Sequence, residues 1–167
     1  MATLADVFQV LAEMRSAGVV RDYAVGGATA VLFYAEPART YDLDVFILLP
    51  QSESGLAPLA TIFEWTASRG FSPLKEHVLI HGVPEQFLPA HNSLVEEAIA
   101  GARELDYEGV MVRVIDPDHL AALALQAGGA RRRERAWQLL ESGVLDRSRL
   151  RALLERHRIP AELPDDA

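Results

Sequence analysis

The stretch Tyr23 to Leu49, YAVGGATAVLFYAEPARTYDLDVFILL, decides the fold. A short apolar run, Tyr23-Ala24-Val25, meets the Gly26-Gly27 pair. Ala28 to Tyr34 follows, apolar and rich in small residues, which predicts a helix packed closely on a sheet. Glu36-Pro37 ends that helix, because the residue before proline avoids the helical region. Arg39-Thr40-Tyr41 is a connecting loop. Asp42-Leu43-Asp44 then opens a second strand, and its nearly unbroken Val45 to Leu49 predicts burial on both faces. The order is strand, glycine turn, helix, strand, which is an α/β arrangement.

Residues two apart on a strand share a face, so Asp42 and Asp44 project together while Leu43 and Val45 face the other way. Two carboxylates at a strand end can share a divalent cation. Their hard oxygens suit Mg²⁺ or Mn²⁺, and Mg²⁺ takes one or two carboxylates with water and phosphate completing its shell. Gly26 and Gly27 would let backbone N–H groups approach phosphate oxygens with no Cβ in the way. A helix starting at Gly27 or Ala28 would add free N–H groups and a positive dipole end. Metal on one side and an N–H cradle on the other describe a nucleoside triphosphate site.

Outward from this stretch, Thr3 to Ala17 carries Leu4, Val7, Phe8, Leu11 and Met14 at helical spacing, with Thr3 as N-cap and Gly18 as stop. Beyond Leu49, Pro50 to Gly55 is a polar loop and Leu56 to Arg69 a helix closed by Gly70. Phe71 to Glu76 is a loop; His77 to His81 and Val83 to Leu88 are short strands flanking Gly82. A helix is expected over Leu94–Ala102 and a last strand over Val110–Ile115. From Asp116-Pro117, an N-cap with a first-turn proline, the chain is helical. His119 to Gln126 precedes Gly128-Gly129, the basic run Arg131 to Arg135, and a final helix from Asp146 to His157. The expected organisation is a core over 1–115, a helical region over 116–160 and a flexible tail over 161–167.

Composition narrows the function. The chain has 167 residues, half of them hydrophobic, enough for one real core. The net charge of −8 disfavours non-specific nucleic-acid binding. With no cysteine, disulfides, thiolate zinc sites and a cysteine nucleophile are excluded. No apolar run is long enough for a bilayer and the N-terminus lacks a signal-peptide layout, so no membrane partner and a cytoplasmic location are expected. His77, His81 and His91 lack ligand spacing, and Trp65 and Trp137 sit among apolar helix positions. Ser52, Ser54 and Ser93 show no recognisable His/Asp arrangement, which disfavours hydrolase chemistry.

VGG, then a helix, then ART-x-DLDVFILL resembles the nucleotidyltransferase superfamily with a DNA-polymerase-beta-like core, and in particular the small bacterial AbiEii/AbiGii-type toxins. HGVPEQFLP resembles that group's next central strand, and PDHLAALALQAGGARRRERAWQLLESG its helical tail. The resemblance implies a mixed sheet backed by helices with a C-terminal helical region. It also implies Mg²⁺-dependent transfer of a nucleoside monophosphate from a nucleoside triphosphate to a hydroxyl acceptor. It makes Asp42 and Asp44 catalytic and metal-binding, and Gly26, Gly27, Arg39 and Thr40 nucleotide-binding. An RNA or protein acceptor and a cognate antitoxin are the partners it implies; the oligomeric state stays open.

Two segments depart from the pattern. Enzymes of this superfamily carry a third carboxylate on a neighbouring strand, as metal ligand and general base. By analogy it belongs at Gln86; Glu85 substitutes only in a register shifted by one, which flips the face. In the tail, Gln126 and Arg131-Arg132 stand where related proteins carry lysine and a Lys-Asp pair. Arg131 keeps the positive charge for a phosphate or acceptor contact, against the alternative of a solvated helix face. The missing acid leaves a second expectation open, a catalytically degenerate fold acting as a nucleotide-binding or protein-interaction module.

Overall fold

A computed structural model describes residues 2–35, 42–50 and 58–164. It contains a seven-stranded mixed sheet and seven helices, an α/β fold. In chain order the elements are α1 (Leu4–Ser16), β1 (Asp22–Gly26), α2 (Gly27–Val31), β2 (Leu43–Leu48), α3 (Ala60–Ser68), β3 (Ser72–Leu74) and β4 (His77–Ile80). β5 (Val83–Pro89), α4 (Ser93–Ala100), β6 (Arg103–Tyr107), β7 (Val110–Val114), α5 (Pro117–Ala127), α6 (Ala130–Glu141) and α7 (Arg147–Arg156) follow.

Local signals start the helices as their sequences require. Thr3 and Asp6 form a reciprocal capping box at α1. Asn92, Asp116 and Asp146 each accept a backbone N–H at the starts of α4, α5 and α7. The periodic apolar face of α1 buries Val7, Phe8, Leu11 and Met14. Phe8 meets Tyr107 edge-on at 5.2 Å between ring centroids, and Phe33 closes the group.

The strand order is β3-β4-β5-β2-β1-β7-β6. β2 is near the middle, antiparallel to β1 and parallel to β5. Its alternation is clean: Leu43, Val45 and Ile47 are buried, while Asp44, Phe46 and Leu48 are half-buried. The expectation of burial on both faces is therefore half met. One face is sealed in the core, and the other stays partly open beneath α4 and α5. Arg113 of β7 fixes that second side by pairing with Asp22 at 3.0 Å and donating to the Ile99 carbonyl at 2.9 Å.

Several elements differ from the sequence expectation. α2 has five residues rather than seven, and turns continue to Tyr34. Gly26 ends the strand rather than breaking it. α3 begins at Ala60, and residues 51–57 of the expected helix and loop lie outside the described residues. β3 and β6 were not expected. Both are edge strands, in Ser-Pro-Leu and Arg-Glu-Leu-Asp-Tyr, and edge strands need no apolar alternation. Among the described residues, no helix is long and apolar enough to cross a membrane.

Candidate active site

The sheet register brings the opening motif together with β5. Gly26 pairs with Asp44 across the antiparallel ladder, and Asp44 pairs with Gln86 across the parallel one. These positions share a face. A cavity of about 320 Å³ opens there, lined by Gly27, Asp44, Gln86, Arg132 and Arg135 and floored by Phe46. Asp42 precedes β2, so the expected projection of Asp42 and Asp44 from one strand face is not reproduced, and Asp42 lines a separate cavity with Leu43, Val83 and Pro84.

The two glycines make room for β2. A Cβ on Gly26 would run into the Phe46 ring. A Cβ on Gly27 would lie inside contact distance of Asp44 Oδ2 and 3.0 Å from its Cγ, at a backbone φ of +60° that L side chains rarely adopt. The Asp44 carboxylate therefore rests directly on the Gly27 backbone. α2 is too short to supply the dipole-assisted anion site expected of a longer helix, because its five residues align few peptide dipoles.

Charge in the cavity is paired across elements. Burial raises the pKa of Asp44; Arg135 opposes that shift, and Asp42 adds to it. Burial likewise lowers the pKa of Arg135, and Asp44 opposes it. A desolvated carboxylate facing a desolvated guanidinium favours a charged ligand that can bridge them. Arg132 and Arg135 are three apart on α6 and so share a helix face. Arg131 is exposed and is not at the cavity; the site uses its neighbours instead. Arg39 and Thr40 lie outside the described residues.

At the third-acid position, Gln86 stands level with Asp44 and lines the cavity. Glu85 pairs with Leu43 and Val78 on the opposite face, fully buried. Neither of its carboxyl oxygens has a hydrogen-bond partner among the described residues, and burial pushes its pKa well up. The shifted register that would bring Glu85 to Asp44 is not the one this sheet adopts.

Two groupings were missed by sequence reasoning. His77 opens β4, and its Nε2 is 3.5 Å from Asp42 Oδ2, close enough for an ion pair but without hydrogen-bond geometry. Continuing the β4–β5 ladder from Val78–Glu85 by one step sets His77 opposite Gln86. Pairing the two expected strands would have revealed this. Behind the cavity, His119 is held between Asp116 (2.7 Å) and Glu97 (2.8 Å). Glu97 also meets Arg156 and His157, and Ser93 reaches His157 Nδ1 at 3.3 Å. Ser93 thus does meet a histidine and an acid, in a network tying α7 to α4.

No family model matches the sequence, and a search of curated proteins finds no relative. Solved structures do match. An antigenic nucleotidyltransferase-like protein from Paracoccidioides brasiliensis superposes over 92% of this chain and 86% of its own, with TM-score 0.59 and 16% identity. The fold is the nucleotidyltransferase fold. The antibiotic-resistance factor ANT(2'')-Ia is similar over 92% of both chains, at TM-score 0.50 and 16% identity. At such identities the likeness extends to the fold, and the function has to be argued from the site.

Proposed function

We propose that the protein transfers a nucleoside monophosphate from a nucleoside triphosphate to a hydroxyl acceptor. The observation that carries this is the cavity in which Asp44 and Gln86 on the sheet face Arg132 and Arg135 on α6. Arg132 and Arg135 would hold the triphosphate. Asp42 and Asp44 would hold Mg²⁺, or Mn²⁺, presented with the nucleotide.

The donor set fits such an ion. It offers hard carboxylate oxygens two residues apart at the start of β2, and burial raises the free energy of an ionised Asp44 that lacks a cation. Among the described residues, no three His, Asp or Glu side chains form a ready cage, so phosphate and water would complete the shell. When bound, the ion would neutralise charge developing on the transferred phosphoryl group. The chain's own part is positional. Gly27 supports Asp44 from below. The Thr29 hydroxyl donates to the Asp42 carbonyl at 3.3 Å and ties α2 to the start of β2. α5 and α6 close over the sheet, which fits a division of labour between residues 1–115 and the helices after 116. A nucleotide-binding role for Arg39 and Thr40 rests on the resemblance of the motif alone.

One observation favours a second reading, that of a nucleotide-binding module without turnover. An amide, Gln86, stands where a third carboxylate would act as base and ligand. A role as the toxin half of a toxin–antitoxin or phage-defence pair, with an antitoxin partner, rests on the resemblance of the motif and tail.

Calorimetric titration with ATP, CTP, GTP and UTP in Mg²⁺ tests both readings. At least one nucleotide should bind, and Asp42→Ala/Asp44→Ala should weaken it at least tenfold. Equal binding by the double variant would overturn the metal–nucleotide site. If nucleotide binds, Gln86→Glu separates the two readings. Pyrophosphate release that the wild type lacks and this variant gains would identify the wild type as a non-catalytic binder.

A further inference from the structure

We infer that the nucleotide this protein takes carries a keto base, uracil or a 6-oxopurine, and that Gln126 selects it with Asn92 as its positioning residue. This rests on the nucleotidyl-transfer reading and adds the base to it. The cavity lined by Asp44, Arg132 and Arg135 has a neighbour of about 240 Å³. Phe46, Leu123 and Ala127 line both, so the two spaces adjoin along one wall of sheet and α5.

A nucleoside triphosphate has a polyanionic end and a flat heteroaromatic end. The two arginines suit the first. The neighbouring space suits the second. Phe46, Val95, Leu123 and Ala127 give it apolar walls, and His91, Asn92 and Gln126 give it polar groups. Phe46 also offers ring surface against which a base can pack. Leu123, Gln126 and Ala127 are spaced three and four apart on α5, so Gln126 belongs to the same helix face as the shared wall.

The polar groups have a fixed sense. Asn92 is the N-cap of α4, and its Oδ1 accepts the Val95 N–H at 3.0 Å. The cap decides which end of the Asn92 amide is oxygen, because a backbone N–H needs an acceptor. Nδ2 is thereby turned to Gln126, and it donates to Gln126 Oε1 at 3.0 Å. That bond orients the second amide in turn. Its oxygen is engaged by Asn92, and its NH₂ nitrogen is the end left to meet a ligand. A base that turns a carbonyl to this nitrogen is paired. A base that turns an exocyclic amine to it sets donor against donor and leaves both unmet. His91 can donate or accept, so it favours neither edge.

Calorimetric titration of the full chain in Mg²⁺ with matched nucleotides, UTP against CTP and ITP against ATP, tests this. Within each pair the members differ chiefly by carbonyl for amine. In at least one pair the keto member should bind about tenfold tighter or more, and the pair that shows it names the ring size. Asn92→Asp keeps the helix cap, since a carboxylate accepts the Val95 N–H as well as an amide does. Its second oxygen then accepts from Gln126, which turns its amide over and offers Oε1 to the base. The preference should therefore invert toward CTP or ATP while Tm moves by less than about 2 °C. Gln126→Leu, at the exposed end of α5, should bring the members of each pair to within about twofold. Equal binding within both wild-type pairs, or tighter binding of the amino members, would overturn the base assignment and leave the nucleotide site standing. An unchanged preference in either folded variant would overturn the roles of Asn92 and Gln126. If none of these nucleotides binds, the nucleotidyl-transfer reading fails and the base assignment with it.

Discussion

Glu85→Leu should stabilise the protein, and its effect should depend on pH. Glu85 is fully buried between Leu43 and Val78 with no hydrogen-bond partner among the described residues. A buried polar group left unpaired costs roughly 1–3 kcal/mol. Leucine replaces it with apolar surface of similar volume in an apolar setting, which adds rather than offsets. At pH 7 the gain should be about 2 kcal/mol or more, a rise in Tm of roughly 4–8 °C for a chain of this size. The pH dependence has a definite sign. Burial raises the folded pKa of Glu85 well above the ordinary value of 4.5. Between those two values the folded state binds the extra proton, so wild-type stability falls as pH rises through that window. The advantage of Glu85→Leu should therefore be smallest near pH 4 and grow toward neutrality. Glu85→Gln should remove the pH dependence but keep the cost of an unpaired polar group. Thermal melts from pH 4 to 8 read all three. A less stable Glu85→Leu, or one with a pH-independent gain, would refute the argument. Loss of nucleotide binding in that variant would show that Glu85, not Gln86, reaches the site.

Two further perturbations follow from the same geometry. Gly27→Ala puts a side chain at φ +60° and against the Asp44 carboxylate. The backbone conformation alone costs about 1–2 kcal/mol. Tm should fall by at least about 2 °C, and nucleotide affinity should drop because Asp44 must move; melting and calorimetry check both. His119→Ala leaves the buried Asp116 carboxylate without its imidazole, while the partly exposed Glu97 keeps Arg156 and His157, so the cost should be about 1–3 kcal/mol. Burial lowers the pKa of His119, but its hydrogen bonds to Asp116 and Glu97 prevail and hold it above 6.5. The stabilising imidazolium is thus fully present below pH 6.5 and lost as pH rises through the folded value. Urea unfolding at pH 6 and pH 9 should show the gap between wild type and variant shrinking at the higher pH.

The sheet's centre was legible because its strands are framed by contrasts: glycines at the β1–α2 junction, aspartates at the start of β2, prolines near both ends of β5. Its edges were not. β6 is Arg-Glu-Leu-Asp-Tyr, three of its five residues charged, and it is an edge strand with no described strand paired on its outer side. β3 is three exposed residues recognised as a strand through pairing with β4. Pairing is a relation between distant segments, and a single strand's composition does not encode its partner. The same limit hid His77. Along the chain β2, α3 and β3 separate Asp42 from His77, yet the fold sets them 3.5 Å apart. It also explains the exchange of Arg131 for Arg132 and Arg135. The basic run announced a cationic helix face, but which arginines face Asp44 depends on how α6 is rotated against α5.

The glycine pair shows how a correct motif can carry the wrong local reason. Sequence alone assigns Gly26 and Gly27 to a backbone approach toward phosphate. In the fold, the Cβ positions of both are already taken from within the protein, Gly26's by the Phe46 ring and Gly27's by the Asp44 carboxylate. The glycines therefore let β1 and α2 close down on the strand bearing the carboxylates, and only through that closeness bear on a ligand. This ties the two halves of the motif physically. A larger residue at Gly27 would displace Asp44 before it obstructed a phosphate. A smaller residue at Phe46 would remove the tightest contact at Gly26 and leave Ile115 Cδ1 at 3.2 Å. It follows that Phe46→Ala should relieve much of the destabilisation caused by Gly26→Ala. A double-mutant cycle would measure this as a coupling on the order of 1 kcal/mol or more. Additivity of the two substitutions would return the glycine to the phosphate alone.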